Sequence, residues 1–404
     1  MTTAGKALLL PLRGIRILTF EAFGAGPFGS MYLADLGADV IKIENREQGG
    51  DATRGMGPFF LGPNDSHFFQ TFNINKRSVC LNLKTPDGSR LFRKLVGQSH
   101  AVLNNLRGDQ PDKLGLTYTA LKDANPRIVC AHLSAYGRDN ERRAWPGYDY
   151  LMQAEAGYLH LSGEPGTAPA RMGLSIIDFM TGITTALALV STLLGVSRDG
   201  QGRDIDVSLF DVALHQLSYP GSWYLNEKHM TERLPRSSHP SAVPVQLFRS
   251  LDGWIFIMCM TDKFWLELLE VLGQPADVAK DRRFQTAAAR REHRDALTPI
   301  LDAHLQQDTT ANWLQKLQGR LPAAPVYDMG QALDSPFPAA TGMVRPMPHP
   351  LRPDFRALGN PIKLDGQRLP GRHASALGAD TESVLRELGV ADSEFVDLRK
   401  ANVI

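Results

Sequence analysis

Short apolar segments typical of buried strands alternate with helix-like segments through the first third of the chain, and again after residue 200. The strands are predicted at 14–20, 38–44, 78–83, 101–104, 127–133 and 204–207. The accompanying helices are predicted at 30–36, 86–95, 117–124 and 208–217. This alternation indicates an α/β fold, with a doubly wound and mostly parallel Rossmann-like sheet covered by helices on both faces. In such sheets ligands bind beyond the carboxyl ends of the strands.

A change of composition near residue 230 indicates a second, smaller α+β domain over 230–330. A hairpin is predicted around Asp252-Gly253, and a helix is predicted from Thr261 to Leu272. Six prolines between residues 335 and 353 indicate an extended linker, for which the domain division uses 331–344. The large domain is expected to cover 1–229, and a last helix is predicted at 381–388.

Charge and cysteine content exclude several classes of protein. The 44 basic and 43 acidic residues leave a net charge of +1, which argues against a general nucleic-acid binder. Three widely spaced cysteines and no Cys-x-x-Cys or Cys/His cluster argue against a zinc site, so no metal is expected. An odd cysteine count and an N-terminal apolar run too short for a signal peptide predict a cytoplasmic protein.

The most apolar stretch, residues 171–196, carries a single acid, Asp178. A helix is predicted from near Asp178 to about Gly195. Asp178 then has two interpretations, an N-cap of that helix or an ionised nucleophile at the mouth of a pocket. The run approaches membrane-span length, but its threonines and its flanking arginines favour a buried core helix, with a membrane span as the alternative.

The segment Gly24-x-Gly26-x-x-Gly29 matches the dinucleotide fingerprint, and Glu44 follows where an acid would bind the NAD ribose. An NAD-dependent oxidoreductase is therefore one interpretation. Three residues separate the strand from the first glycine, Pro27 lacks an N–H for phosphate, and a bulky phenylalanine follows it. The other interpretation is a tight turn with close helix–sheet packing.

A set of motifs that runs in order from about residue 11 to residue 390 resembles the class III CoA-transferases, the formyl-CoA:oxalate and carnitine CoA-transferase group. The motifs are PLRGIRILTF, AGP, LADLGADVIKIE, GGDATRG, FNINKRS, LNLKTPDG, PDKLG, WPGYD, GQGRDIDVSLFD and TESVLRELG. The resemblance implies a large domain completed by residues 345–404, a smaller domain, and a homodimer of two chains interlocked as linked rings.

The resemblance also implies site residues. Asp178, between the GYD motif and the GxGR strand, corresponds to the covalent nucleophile. Contacts with coenzyme A are implied for Gly24, Ala25, Asn45, Arg46, Leu81, Asn82, Leu83, Lys84, Asn105, Leu106, Arg107, Lys113, Tyr148 and Asp149. A position that is usually basic in relatives is Asn45 here, with Arg46 next, which leaves open which of the two reaches the CoA phosphates.

The implied reaction moves CoA from an acyl-CoA, such as succinyl-CoA, to a carboxylic acid through an aspartyl mixed anhydride and an aspartyl-CoA thioester. Acyl-CoA is then a substrate, and no permanently bound cofactor is expected. Residues 236–244 replace the mobile glycine run of the formyl-CoA enzymes, which resembles the branch acting on dicarboxylates. Arg236 and His239 are therefore predicted to bind a second carboxylate. The alternative is a 2-methylacyl-CoA racemase, with His132 or His160 as the base.

Overall fold

The structure, a computed structural model, describes residues 8–404. The strands are β1 Arg16–Phe20, β2 Asp39–Glu44, β3 Phe60–Gly62, β4 Asp65–Ser66, β5 Arg77–Cys80, β6 Ala101–Asn104, β7 Val129–Ser134, β8 Arg203–Ser208, β9 Val245–Arg249, β10 Trp254–Met258, β11 Ala323–Pro325, β12 Val344–Pro346, β13 Arg356–Leu358, β14 Lys363–Leu364 and β15 Gln367–Arg368.

The helices are α1 Ala25–Asp35, α2 His67–Asn73, α3 Pro86–Gly97, α4 Gln110–Lys113, α5 Tyr118–Leu121, α6 Asp149–Glu155, α7 Tyr158–Leu161, α8 Ile176–Asp199, α9 Leu209–His215, α10 Ser218–Glu227, α11 Asp262–Val271, α12 Ala276–Ala279, α13 Ala287–Glu292, α14 Arg294–Leu305, α15 Thr310–Leu317, α16 Met329–Asp334, α17 Pro336–Ala340, α18 Thr381–Glu387 and α19 Phe395–Lys400. Short 3-10 helices lie at Arg46–Gln48, Ala52–Gly55, Pro235–Ser237, Arg282–Phe284 and Asp392–Glu394.

Six strands form one parallel sheet in the order β5-β2-β1-β6-β7-β8. The chain builds the sheet outward from β1 on one side, then returns and builds it outward from β6 on the other. Every residue of β6 and β7 is buried, as expected of strands covered on both faces. The predicted α/β class and doubly wound parallel sheet are confirmed, and the sheet's switch point lies between β1 and β6.

Two compact units divide the chain. The first contains the described residues up to Ala156, together with Met172–Ser218 and Pro336–Ile404. The second contains Gly157–Arg171 and Tyr219–Ser335, so residues 157–171 lie outside the unit to which the sequence assigned them.

The second unit contains an antiparallel sheet in the order β11-β10-β9. The predicted hairpin is present, with Arg249 opposite Trp254 in the register of β9 and β10. Buried apolar residues of α11, α14 and α15 pack against this sheet, among them Trp265, Leu301 and Trp313.

The first unit is completed by the C-terminal segment, which pairs with the edge strand β5. Asp380 Oδ2 accepts the N–H of Ser78 at 2.8 Å, and Thr381 Oγ1 accepts the N–H of Cys80 at 2.9 Å. The start of α18 thus satisfies backbone donors near the open edge of the sheet.

The extended conformation predicted for the linker is wrong over part of its length, where α16 and α17 form. Asp328 caps α16 in a capping box with Gln331. Pro336 stands at the first position of α17, where a missing N–H costs nothing because a first-turn N–H has no intrahelical acceptor.

The long apolar helix starts near Asp178 as predicted, but the N-cap interpretation of Asp178 is wrong. Helix α8 begins at Ile176, two residues before Asp178, and ends before Gly200, which takes the left-handed conformation. Asp178 therefore lies within the first turn and is not the N-cap. Ser175 occupies that position without a side-chain capping bond.

Helix α1 begins earlier than predicted, because most of the glycine-rich segment is helical. A Cβ atom at Gly29 would lie 2.3 Å from the carbonyl oxygen of Gly182, so α1 and α8 cross with their backbones in close contact. Pro27 is tolerated within the first turn of α1. The third glycine of the fingerprint therefore serves helix packing.

Helix α8 is long and apolar enough, by length and composition only, to cross a membrane: its 24 residues contain a window of mean hydropathy 1.8. One face, with Ala186 and Leu189, packs in a core with residues of β1, β2, β6 and β7. The other face leaves Ile183, Leu187 and Leu194 exposed by 44%, 66% and 60%.

Candidate active site

A cleft of about 710 Å³ lies in the first unit at the carboxyl ends of β1, β2, β5, β6 and β7. It spans the switch point of the sheet, where ligands of doubly wound folds bind. The sequence-predicted residues that line it are Gly24, Ala25, Asn45, Leu81, Asn82, Leu83, Lys84, Asn105, Leu106, Arg107, Tyr148 and Asp178. The strand-end rule and the motif positions thus lead to the same cavity.

Three further predicted contacts do not line this cleft. Arg46 lies beyond it, with Nη2 2.7 Å from the position that a Cβ atom at Gly378 would take. Lys113 is exposed and pairs with Asp109 at 2.6 Å. Lys113 and Arg107 hold the pKa of Asp109 well below its usual value. Of Asn45 and Arg46, only Asn45 lines the cavity. Contact of Arg46 and Lys113 with CoA stays a prediction.

Asp149, the third, is buried beside the nucleophile candidate, with 3% of its surface exposed. Its Oδ2 accepts the backbone N–H of Asp178 at 3.0 Å, and its Oδ1 accepts from Gln153 Nε2 at 2.6 Å. Gln153 also donates to the Leu174 carbonyl and accepts the Met172 N–H. Asp149 and Gln153 together therefore fix the segment that leads into α8.

The carboxylate of Asp178 is half-buried and lies against the backbone of Gly24. A Cβ atom at Gly24 would be 2.6 Å from Asp178 Oδ2. Within residues 8–404 no hydrogen-bond donor reaches this carboxylate, whose own backbone N–H is already bonded to Asp149. The oxygens are consequently not engaged in capping and remain available for chemistry.

Burial raises the pKa of Asp178 to about 7, and the negative charge of Asp149 adds to the effect. Near neutral pH the protonated and ionised forms of the group therefore coexist. A carboxylate with so high a pKa is more basic, and hence a better nucleophile, than an ordinary aspartate.

Two aromatic side chains, Phe23 and Tyr148, line this end of the cleft, and a second aromatic cluster lies beside Asp178 outside the lining. Phe23 and Tyr148 meet edge to face with ring centroids 5.7 Å apart. Phe179, next to Asp178, packs on Phe28 at 4.6 Å and on Phe72 at 5.9 Å. Apolar lining of this kind lowers the polarity around the Asp178 carboxylate.

The NAD interpretation is wrong at Glu44, because both carboxylate oxygens are occupied. Arg54 binds them through Nε at 2.9 Å and Nη2 at 2.7 Å, and the backbone N–H of Asp51 donates to Oε1. Burial is the largest single effect on the pKa of Glu44 and raises it, but the hydrogen bonds and charge of Arg54, with the charge of Lys42, together outweigh burial and lower the pKa. A ribose has no free oxygen of Glu44 to bind.

Arg236 and His239 lie in the second unit. Arg236 forms an ion pair with Asp302, and His239 Nδ1 accepts the N–H of Ala242 at 3.1 Å. Their predicted role toward a second carboxylate stays a prediction.

Sequence reasoning missed three buried charged residues at the cleft, Glu21 and Asp51 in its lining and Lys42 behind them. The available signal was a lysine between two isoleucines in the middle of a predicted buried strand, since an unpaired charge is not buried there.

The fold and the cleft define an α/β protein with a half-buried carboxylate of raised pKa in a cleft at the switch point of the sheet. The model of CoA-transferase family III matches residues 12–381, and the chain belongs to this family. The family match and the names of the relatives identify the protein as a CoA-transferase. The interpretation as an NAD-dependent oxidoreductase is therefore wrong.

Three similar proteins illustrate the relationship. The succinate–glutarate CoA-transferase of Agrobacterium fabrum is 32% identical, over 82% of this chain and 84% of its own. The acetyl-CoA:oxalate CoA-transferase of Acetobacter aceti is 31% identical, over 92% of this chain and 94% of its own. A crystal structure of a CaiB/BaiF family protein from Brucella suis has a TM-score of 0.82 and 30% identity, covering 94% of this chain and 99% of that one.

Proposed function

We propose that the protein transfers CoA between carboxylic acids with Asp178 as the covalent nucleophile. The observation that carries the proposal is the Asp178 carboxylate, which lies against Gly24 in the switch-point cleft with a pKa near 7. Its oxygens have no donor among the described residues, so a carbonyl carbon can approach them.

In the first half-reaction an oxygen of Asp178 attacks the thioester carbonyl of the acyl-CoA. The C–S bond breaks, CoA leaves as the thiolate, and an aspartyl mixed anhydride remains. The thiolate then attacks the aspartyl carbonyl, the donor acid leaves as a carboxylate, and an aspartyl-CoA thioester forms.

In the second half-reaction the acceptor carboxylate attacks that thioester and expels CoA thiolate. The thiolate attacks the acyl carbonyl of the new anhydride, which yields the new acyl-CoA and restores the Asp178 carboxylate. No net proton, electron or water is consumed.

Each attack places negative charge on a carbonyl oxygen that needs hydrogen-bond donors. The N–H groups of Ala25 and Gly26 are candidates, because they lie in the first turn of α1, where no intrahelical acceptor exists. Loss of one such donor costs about 3–4 kcal/mol in comparable sites.

The proposed substrates are succinyl-CoA or a similar donor and a dicarboxylic acceptor. The support is that relatives are named for succinate and glutarate or for oxalate, all dicarboxylates. A screen of acyl-CoA donors against mono- and dicarboxylic acceptors, with the acyl-CoA products separated by chromatography, tests this. Transfer to monocarboxylates alone contradicts it.

Replacement of Asp178 by asparagine tests the covalent step. We expect CoA transfer to fall at least about 1,000-fold, and hydroxylamine trapping followed by mass spectrometry to lose the labelled Asp178 peptide. Asp199→Asn, an exposed aspartate at the other end of α8, is the matched control and keeps both. Near-normal turnover by Asp178→Asn would end the proposal.

Racemase chemistry receives no such support, since none of the described residues that line the cleft is a histidine. His132 is buried between Asn104 and Asp204, with both ring nitrogens bonded, and His160 lies in the second unit near Glu232. Epimerisation of a 2-methylacyl-CoA by the purified protein would revive that alternative.

We also propose that the protein is a homodimer with interlocked chains, as the family resemblance implies. The exposed apolar face of α8, with Ile183, Leu187 and Leu194, supports a covering partner. Light scattering of the purified protein should give twice the chain mass of 44.5 kDa. A monomer with full activity contradicts the assembly.

A cytoplasmic location is the remaining proposal. Its support is that Cys80, Cys130 and Cys259 are all unpaired and buried, as expected in a reducing compartment. Cell fractionation tests it.

A further inference from the structure

The turn that joins β1 to α1, residues 21–24, carries backbone strain next to the proposed nucleophile. Phe23 has φ of 64°, in the left-handed region that bulky residues avoid. Such a conformation persists only where neighbouring groups hold it. Gly24 follows Phe23 and lies against Asp178 Oδ2, so the conformation of the turn determines where the Gly24 backbone meets this carboxylate.

Lys42 and Asp51 hold two backbone groups of this turn. Lys42 Nζ donates to the Glu21 carbonyl oxygen at 2.7 Å and pairs with Asp51 Oδ2 at 2.9 Å. Asp51 Oδ1 in turn accepts the N–H of Phe23 at 3.4 Å. The strained residue is therefore linked to Lys42 through one carboxylate.

Asn105, at the end of β6, holds Ala22, the residue between Glu21 and Phe23. Its Oδ1 accepts the N–H of Ala22 at 3.0 Å, and its Nδ2 donates to the Ala22 carbonyl at 2.7 Å. The Asn105 amide, predicted to contact CoA, thus has both ends bonded to the turn.

The four charges involved carry no formal net charge and adjoin a second buried ion pair, Glu44 with Arg54. Lys42 and Lys76 supply the cations, Glu21 and Asp51 supply the anions, and each side chain is at most 2% exposed. Buried charges paired in this way resist displacement, because moving one leaves another without a partner.

We infer that Lys42 is a positioning residue of the reaction, which holds the 21–24 turn so that Gly24 supports the carboxylate of Asp178. The inference rests on the proposed role of Asp178. Lys42 does not line the cleft, so its influence passes through Glu21 and Asp51.

Lys76 provides a matched control within the same cluster. It is equally buried, but it donates to the side chain of Glu21, the carbonyl of Pro27 and the side chain of Asn73, and to no backbone group of the turn. Replacement of either lysine by methionine removes one buried cation, but only Lys42→Met removes a hydrogen bond to the backbone of the turn.

The experiment compares both variants with the wild type by single-turnover CoA transfer at saturating acyl-CoA, by CoA affinity from calorimetry, and by hydrogen–deuterium exchange of residues 20–28. We expect Lys42→Met to slow transfer at least about 10-fold, to change CoA affinity less than about threefold, and to lose protection at Ala22 and Phe23. Lys76→Met should keep its transfer rate within about threefold and retain that protection at a similar loss of Tm.

Equal slowing by both variants, or a wild-type rate in Lys42→Met, overturns the inference. If Lys42→Met does not fold, Asn105→Ala at its half-buried site replaces it, with the same expected loss of rate and protection. If the wild-type protein transfers no CoA, the result contradicts the proposed function and not the role of Lys42. The exchange data then decide separately whether Lys42 holds the turn.

Discussion

Asp149 Oδ2 accepts the backbone N–H of Asp178 at 3.0 Å, so the buried Asp149 carboxylate fixes the backbone of Asp178. The same contact brings two negative charges together. Burial and the Asp149 charge together raise the pKa of Asp178, in that order of size. Asp149 therefore acts on Asp178 both as a hydrogen-bond acceptor and as a charge.

These two effects separate in Asp149→Asn, which keeps an oxygen acceptor for the Asp178 N–H and removes the charge. The pKa of Asp178 should then fall below about 7. Because the ionised form is the proposed nucleophile, the rate should rise with pH through this pKa, and the acid limb of the kcat/KM profile should move to lower pH. Glu155→Gln, an exposed carboxylate on the same helix, should leave the profile in place. An unmoved acid limb in Asp149→Asn would contradict the charge effect.

Asp178→Asn should stabilise the protein above pH 7. A carboxyl group whose pKa is raised on folding binds more protons when folded, so it lowers the free energy of unfolding as the pH rises from about 4 to about 7. The asparagine variant escapes this loss. Its Tm advantage over the wild type should be larger at pH 8 than at pH 4. A difference of about 1 kcal/mol in the free energy of unfolding shifts Tm by about 2–4 °C in a domain of about 150–250 residues. An advantage independent of pH would show that ionisation is not its cause.

Gly24→Ala should abolish most of the transfer activity with little loss of fold. The new Cβ would lie 2.6 Å from Asp178 Oδ2, closer than van der Waals contact allows, so the carboxylate must move. A loss of about 100-fold is expected from a displacement of about 1 Å, measured as kcat with circular dichroism as the check on folding. Gly55→Ala meets nothing within 4 Å and serves as the control. Full activity in Gly24→Ala would mean that the carboxylate acts from another position.

Gly29→Ala and Gly182→Ala should each destabilise the first unit by about 1–3 kcal/mol, the usual cost of overpacking. A methyl group at Gly29 would meet the Gly182 carbonyl oxygen at 2.3 Å, and one at Gly182 would meet the Ala25 carbonyl oxygen at 2.5 Å. Gly195→Ala, on the same helix in open space, should be neutral or stabilising, because alanine favours a helix by about 1 kcal/mol over glycine. Urea unfolding midpoints measure the three. Equal midpoints would mean that the helices separate without cost.

Local patterns were sufficient for the sheet. The apolar segment at 101–104 became a strand with the predicted bounds, because a short buried run between turn signals has few other stable conformations. The same reasoning was wrong for the start of α1, since glycines and Pro27 read as a turn are compatible with a helix that packs closely on another.

The sequence by itself determined the fold class and the position of a cleft at the strand ends, because apolar periodicity is a property of neighbouring residues. The order of the family motifs pointed to Asp178 as the proposed nucleophile. Only the tertiary structure decided that Asp149 lies beside Asp178 and that Arg54 binds both carboxylate oxygens of Glu44. It also decided that Lys42 reaches the turn after β1. Those partners are far apart in the chain. Their contacts depend on the strand order and register of the sheet, which no local pattern records.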